Sequence, residues 1–338
     1  MIKMTLSVII IGRNEESHIE RCLRSVLQGT RDIPGTEIIY ADSASTDRTI
    51  GIVRQYPVRV LQLKTEWPLS ASAGRYIGYL HAKGRFLFFI DGDSVLYRRW
   101  LQAGLGYLSG HPKAGAVAGS VHELFETENG EPIRLLRHRY GVQASSVPVK
   151  TMGGIALYRK SALDRVGPFN PFIPADEEPE LGLRLRRAGY TLIRTPEIMA
   201  LTYGPERETF HELFRRYRSG LYSFGIALQY CRQNACAIQY IRERLNHLIS
   251  YSAVLILALV ILIFLIIREW LPAGILLLIV GLSVLRLVKP VMFRRLMISF
   301  VKRSLMMFCT LKTCLRTDSR PVESYPTDVI EISRGIGK

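Results

Sequence analysis

Two aspartates stand one residue apart at the end of the apolar run FLFFIDGDS, residues 86–94. Gly92 between them permits a turn on which the carboxylates of Asp91 and Asp93 converge on one hard cation. Mg2+ and Mn2+ prefer oxygen ligands and often bridge a protein carboxylate to substrate phosphates. Such a cation removes the repulsion between the two charges. Alone, the pair reads as a solvated turn. A second acidic stretch, Asp176-Glu177-Glu178-Pro179-Glu180, opens a helical pattern. Its acids can complement the helix dipole, or one can take a proton from a hydroxyl group.

The elements that must position these residues follow from periodicity. Leu6–Ile11, Glu37–Tyr40, Val58–Leu63 and Phe86–Ile90 read as short apolar strands, with helices predicted over 16–28, 46–56 and 70–82 between them. Strand–helix alternation implies βαβ units and a mostly parallel, Rossmann-like sheet flanked by helices. Such sheets bind ligands beyond the carboxyl ends of their strands, where Asp42 and Asp91 fall. Further on, Ala116–His122 is a candidate strand, and 125–148 has little periodicity and reads as a loop over the site. Gly153 and Gly154 form a turn feeding a strand, and Pro179–Ala188 is a short helix closed by Gly189. His81 and His122 stand in no motif and are taken as structural.

The chain has 338 residues and a net charge of +16. Between Arg207 and Arg316 there are 16 Lys and Arg against 4 Asp and Glu, so that segment carries +12 of the total. These charges flank the most apolar part of the chain, which favours a lipid surface over nucleic acid. Leu248–Ile267 and Leu271–Leu285 are uncharged and are expected to form a transmembrane hairpin. Pro290–Leu315 is expected as a basic amphipathic helix in the interface, with Ile298, Leu305 and Met306 breaking its pattern. His211, Arg215, Arg216 and Arg218 form a cluster that could meet a phosphate or an anionic surface. The five cysteines are odd in number and contain no CxxC pair, so neither a disulfide framework nor a zinc site is expected. No signal peptide is visible. The expected location is the inner (plasma) membrane, multi-pass, with the catalytic domain cytoplasmic.

Five stretches, in order, carry a resemblance: IIIGRNEE (9–16), IIYADSASTDRT (38–49), SAGRYIG (72–78), GGIALYRKSALDRVGPF (153–169) and DEEPELGLRLRRAGY (176–190). Together they resemble the family 2 glycosyltransferases of the GT-A group, over roughly residues 5–225. The resemblance implies transfer of a sugar from a nucleotide-diphosphate sugar, with a Mg2+ or Mn2+ cofactor. It implies that Asn14, Glu15, Asp42, Arg75 and Asp91 lie by the nucleotide, Asp42 at the base. Asp91 and Asp93 match the DxD motif, with Asp93 the main metal ligand. Glu177 and Glu178 match the family's Glu-Asp pair, with Glu178 the catalytic base. Gly153 and Gly154, and with them Asp176, Arg215 and Arg216, fall on the acceptor side.

The chain also departs from the pattern. Gly12-Arg13 stands where the family often has proline, Ser43 follows Asp42, and the acidic pair is Glu-Glu. The QxxRW motif of processive members is absent, so one sugar is transferred at a time. The implied organisation is a transferase domain over 1–225, a linker helix over 226–247, a membrane hairpin over 248–288, an interfacial helix over 289–316 and a polar tail over 317–338. The implied acceptor is a membrane lipid or lipid-linked glycan. A sugar-phosphate nucleotidyltransferase is the competing enzyme, although its glycine-rich loop is missing after strand one. A non-catalytic membrane scaffold is the third reading.

Overall fold

The computed structural model describes residues 5–127, 131–136, 138–141, 143–205, 209–266, 274–275, 290–315 and 319–332. Its first half alternates as the apolar pattern requires: β1 (Leu6–Gly12), α1 (Ile19–Thr30), β2 (Thr36–Asp42), α2 (Thr49–Val53), β3 (Arg59–Gln62), α3 (Ala71–His81) and β4 (Phe86–Asp91). β1 lies between β2 and β4, parallel to both, and is buried on both faces. That explains its unbroken aliphatic run. The shared register sets Gly12 beside Asp42 and Ile11 beside Asp91, so three loops leave the sheet at one level.

The second half turns back on the first. β5 (Ser94–Leu96), α4 (Trp100–Gly110), β6 (Ala114–Glu126), β7 (Pro132–Leu136), β8 (Val147–Pro148), β9 (Ala156–Arg159), α5 (Lys160–Val166), α6 (Glu177–Arg187) and β10 (Thr191–Gly204) follow. β9 runs antiparallel to β4 and β6, β10 runs parallel to β6, and β5 returns antiparallel to β10. The expected mostly parallel sheet is therefore a mixed one. The physical reason is β9, which inserts between β4 and β6 in the opposite direction and reverses the sheet's polarity there. β7 pairs with β6 inside the stretch expected as a loop.

After β10 the chain builds a second core from α7 (Phe210–Arg218), α8 (Phe224–Gln233), α9 (Ala237–Tyr240), a π turn (Ile241–Leu245), α10 (Asn246–Ile266) and α11 (Pro290–Cys314). Ile298, Leu305 and Met306 pack into this core from α11, so the residues that broke its amphipathic pattern are its packing seam. Gly225 lets α8 approach α11 closely: a Cβ there would lie 2.6 Å from the Cys314 amide nitrogen.

The expected transmembrane hairpin is corrected. Among the described residues no helix is long and apolar enough to cross a membrane. α10 covers the first expected span as far as Ile266, but its opening turns are used inside the protein. Leu248 and Tyr251 are buried, and the Tyr251 hydroxyl bonds with that of Ser304 on α11. The described part of the helix beyond Ser252 extends about 21 Å at 1.5 Å per residue, less than the ~30 Å hydrocarbon layer. The C-terminal membrane region and the multi-pass inner-membrane location with a cytoplasmic domain are corrected with it. The second expected span, Leu271–Leu285, lies outside the described residues except for Gly274 and Ile275.

The segment expected as a polar tail folds back onto the sheet. β11 (Ile330–Ile332) pairs antiparallel with the outer strand β3, which covers an otherwise open edge. Arg59 pairs with Glu331 and Lys64 with Asp328 across this seam. Tyr325 is 1 % exposed among Trp67, Tyr76 and Phe172, and its hydroxyl donates to the Pro68 carbonyl at 2.8 Å. Tyr325→Ala should cost about 3 kcal/mol of stability, the usual scale for emptying a buried aromatic site. Urea unfolding checks this; a midpoint within error of the parent would show that the plug bears no load.

Candidate active site

Arg75 lies at the centre of the acidic residues. It rises from the first turns of α3 and is 2 % exposed. Its Nη2 donates to Asp91 Oδ1 at 2.9 Å and its Nη1 to Glu177 Oε1 at 2.8 Å, with Glu178 at 4.0 Å. The guanidinium also lies 5.4 Å from the Phe169 ring centre. Burial works against its charge, but Asp91, Glu178 and Glu177 outweigh burial and hold it firmly protonated. One buried cation thus joins the end of β4 to the start of α6.

The glycine pair makes room for this contact. Extending the β4–β9 register from Phe89 and Ala156 brings Gly154 opposite Asp91. A Cβ at Gly154 would lie 2.7 Å from Asp91 Oδ2 and 2.8 Å from Arg75 Nη2. Gly153 has φ +86° and packs against the Tyr140 hydroxyl, so that position needs glycine for its backbone as well. Tyr140, on the segment after β7, is covered by Arg194, whose guanidinium carbon is 3.7 Å from the ring centre.

A cavity of about 470 Å³ opens at the carboxyl ends of β1 and β4. Its walls include Arg13, Glu15, Ser43, Ser70, Arg75, Asp91, Asp93, Glu177, Glu178 and Arg216. Asp93 and Arg216 also line a smaller neighbouring pocket of about 120 Å³, walled by Tyr203 and Arg215. Asp93 is pushed up to about 8 by burial, then by Asp91 and Glu15. Glu177 is likewise pushed up to about 8, by burial and then Glu178, against the pull of Arg75. Glu178 is 19 % exposed, is the less buried of the pair and lines the cavity.

Asp91, Asp93 and Glu15 all line this cavity, Asp91 and Asp93 as neighbours on one turn, and burial followed by the charges of Asp91 and Glu15 raises Asp93. These groups fit a divalent cation. Among the described residues no three such side chains converge as a ready-made metal site. Two aspartates match the share a protein supplies when phosphate oxygens and water complete the shell.

Several expected residues stand apart from the cavity wall. Asp42 is fully buried and accepts from the Ser45 amide and hydroxyl and from Gln62 Nε2. It holds the turn whose Ser43 faces the cavity. Asn14, at φ 57°, accepts from the Thr46 amide and braces the same loop. Asp176 turns away from the cavity to Tyr240 and Arg244. Arg215 pairs with the buried Glu212, while Arg216 reaches the cavity. Sequence reasoning missed Arg13, Ser43 and Ser70 as cavity-lining residues; the first two lie next to recognised residues, Ser70 opens the helix that carries Arg75, and none has a motif signal of its own.

Known proteins resemble this chain in sequence and in fold. The profile of Glycosyl transferase family 2 matches residues 7–167, and that of Glycosyl transferase family group 2 matches residues 95–288, more than half of the chain. Glycosyltransferase AglE of Haloferax volcanii is 26 % identical over 223 residues, 64 % of this chain and 71 % of that protein. Poly(ribitol-phosphate) beta-N-acetylglucosaminyltransferase TarS of Staphylococcus aureus is 31 % identical over 116 residues, 32 % of this chain but 19 % of TarS. The chain thus matches about a fifth of that relative's length. In structure, the mannosyltransferase PcManGT of Pyrobaculum calidifontis, in complex with GDP-Man and Mn2+, superposes with a TM-score of 0.62 at 20 % identity, covering 93 % of this chain and 88 % of that one. S. aureus TarS in complex with UDP-GlcNAc gives 0.51 at 19 % identity over 67 % of this chain and 66 % of that one. These structural likenesses show a shared fold. The chain belongs to glycosyl transferase family group 2, and it is a glycosyltransferase with a GT-A α/β fold built on a mixed sheet.

Proposed function

We propose that this enzyme moves one sugar from a nucleotide-diphosphate sugar to an acceptor hydroxyl group, with inversion at the anomeric carbon. The observation that carries this reading is the meeting of Asp91, Asp93, Glu178 and Arg216 on one cavity at the carboxyl edge of the sheet. Asp91 and Asp93 would hold Mg2+ or Mn2+, which when bound supplies positive charge for the departing diphosphate. Arg216 and Arg13 supply further positive charge from the protein. Glu178 is the proposed base: it takes the acceptor hydroxyl proton while that oxygen bonds to the anomeric carbon. The bond from that carbon to the diphosphate breaks in the same displacement. Glu177 is committed to Arg75, which leaves Glu178 as the acid free to accept a proton. Glu15 lines the proposed nucleotide end of the cavity, and Asn14 and Asp42 brace it from behind, their two loops meeting through the bond from the Asn14 amide to Ser45.

The proposed acceptor is lipid-linked. α10 and α11 expose Ile256, Leu259, Ile263, Phe300, Phe308 and Leu311, a surface suited to an acyl or polyprenyl chain. A panel of UDP-GlcNAc, GDP-mannose and other nucleotide sugars, offered with polyprenyl-phosphate and water-soluble acceptors, tests both halves of the proposal. Pyrophosphate release from a sugar phosphate and a nucleoside triphosphate would instead establish a nucleotidyltransferase.

Two outcomes follow from the geometry. Glu178→Gln should lower kcat by roughly 10²- to 10⁴-fold, the usual range for losing a general base, with little change in donor binding. Full turnover by that variant would remove Glu178 from the mechanism. Asp93→Asn relieves a buried like-charge contact while removing a cation ligand. The metal-free variant should melt a few degrees higher than the parent, and the rise on adding Mn2+ with a nucleoside diphosphate should vanish. Calorimetry that shows an undiminished Mn2+ response would refute the assignment of Asp93.

A further inference from the structure

Asp176 has a left-handed backbone, φ 65° and ψ 25°, immediately before Glu177. Non-glycine residues rarely adopt that conformation, and one held there is fixed by its surroundings. Here the surroundings come from the helical core. Asp176 Oδ2 accepts from the Tyr240 hydroxyl at 2.9 Å and from Arg244 Nε at 2.9 Å, and Oδ1 accepts from Arg244 Nη2 at 2.7 Å. The arginine contact is a two-pronged fork, the geometry that best fixes orientation. Tyr240 is fully buried.

The grip comes from an irregular piece of helix. Tyr240 directly precedes the π turn Ile241–Leu245 and Arg244 lies within it, a form that is rare and frequent at functional places. The same turn points Glu243 at the far end of α6, where it accepts from Arg186 Nη2 at 2.7 Å and Nη1 at 3.2 Å. This segment therefore holds α6 at both ends, at Asp176 just before its first residue and at Arg186 in its last turn. Neither Tyr240 nor Arg244 lines the donor cavity, so neither is placed to bind the nucleotide sugar.

We propose that Tyr240 and Arg244 are positioning residues for sugar transfer: by holding Asp176 left-handed, they set the direction in which Glu178 enters the cavity. The inference rests on Glu178 as the proton acceptor. If Asp176 relaxes toward an ordinary backbone, the first turn of α6 rotates and the Glu178 carboxylate leaves hydrogen-bond reach of the acceptor oxygen. Donor affinity, set chiefly by Asp91, Asp93, Arg13 and Arg216, changes little by comparison.

Steady-state kinetics on the full chain test this, with UDP-GlcNAc or GDP-mannose, whichever the panel identifies as the donor. Arg244→Ala should lower kcat on the order of 10- to 100-fold, the scale of a misplacement of about 1 Å, with donor KM within about twofold. Arg244→Lys should recover part of the loss. Tyr240→Phe removes a single hydroxyl and should give a smaller loss of the same kind, which keeps the test open if Arg244→Ala folds poorly. Adding Asp176→Gly to Arg244→Ala should restore part of kcat, because glycine adopts the left-handed turn without the strain that the clamp otherwise offsets. A purely structural staple would show no such rescue. Unchanged kcat in Arg244→Ala and Tyr240→Phe, or a loss that Asp176→Gly leaves in place, overturns the proposal. Glu178→Gln, run alongside, separates the two ideas. If that variant retains turnover, the role of Glu178 fails; if it is inactive while Arg244→Ala is fully active, the clamp alone fails.

Discussion

The site depends on one buried positive charge. An arginine taken out of water is costly, and the cost is offset only where acids meet it in good geometry. Arg75 meets this condition through Asp91 at the end of β4 and Glu177 at the start of α6. The compensation is incomplete from the acids' side. Asp93 and Glu177 are both pushed up to about 8, chiefly by burial, so the cavity cannot keep all its carboxylates charged with its own cations alone. A site in that condition favours a visitor that brings cations, and a metal-bound diphosphate has that character.

The surrounding fold protects this arrangement. Gly154 leaves no side chain between β9 and the Asp91–Arg75 pair, and Phe169 covers the guanidinium face. The antiparallel insertion of β9 brings the glycine pair to Asp91, since a parallel strand would carry its leading turn to the opposite edge of the sheet. The mixed sheet and the charge cluster are thus one design problem with a shared solution.

Much of this was legible in the sequence, for identifiable reasons. β1 and β4 showed themselves by unbroken apolar runs, and Asp91, Asp93, Arg75 and Glu178 stood out because several spaced motifs agreed. β9's direction was hidden, because four residues of apolar sequence say nothing about strand polarity. The helical region misled in a different way. Leu248–Ile267 has no charge, yet its first turns spend their apolar surface on α11, and composition alone does not distinguish a protein partner from lipid. On α11, Ile298 and Met306 looked like flaws in an interfacial pattern because the buried face was assumed to be the other one. Asp42 and Asn14 match motif positions in the sequence, but the structure shows their oxygens already satisfied by Ser45, Gln62 and Thr46.

The return of the chain at β11 changes what counts as a unit. Residues 1–225 look separable in sequence, yet β3 borrows its outer partner from residues 330–332, and the loop at Pro68 leans on Tyr325. Loss of order in the C-terminal strand would therefore be felt at Leu69 and Ser70 and so at the cavity wall. Order in this protein is shared from end to end: β11, far along the chain from β1, belongs to the same sheet.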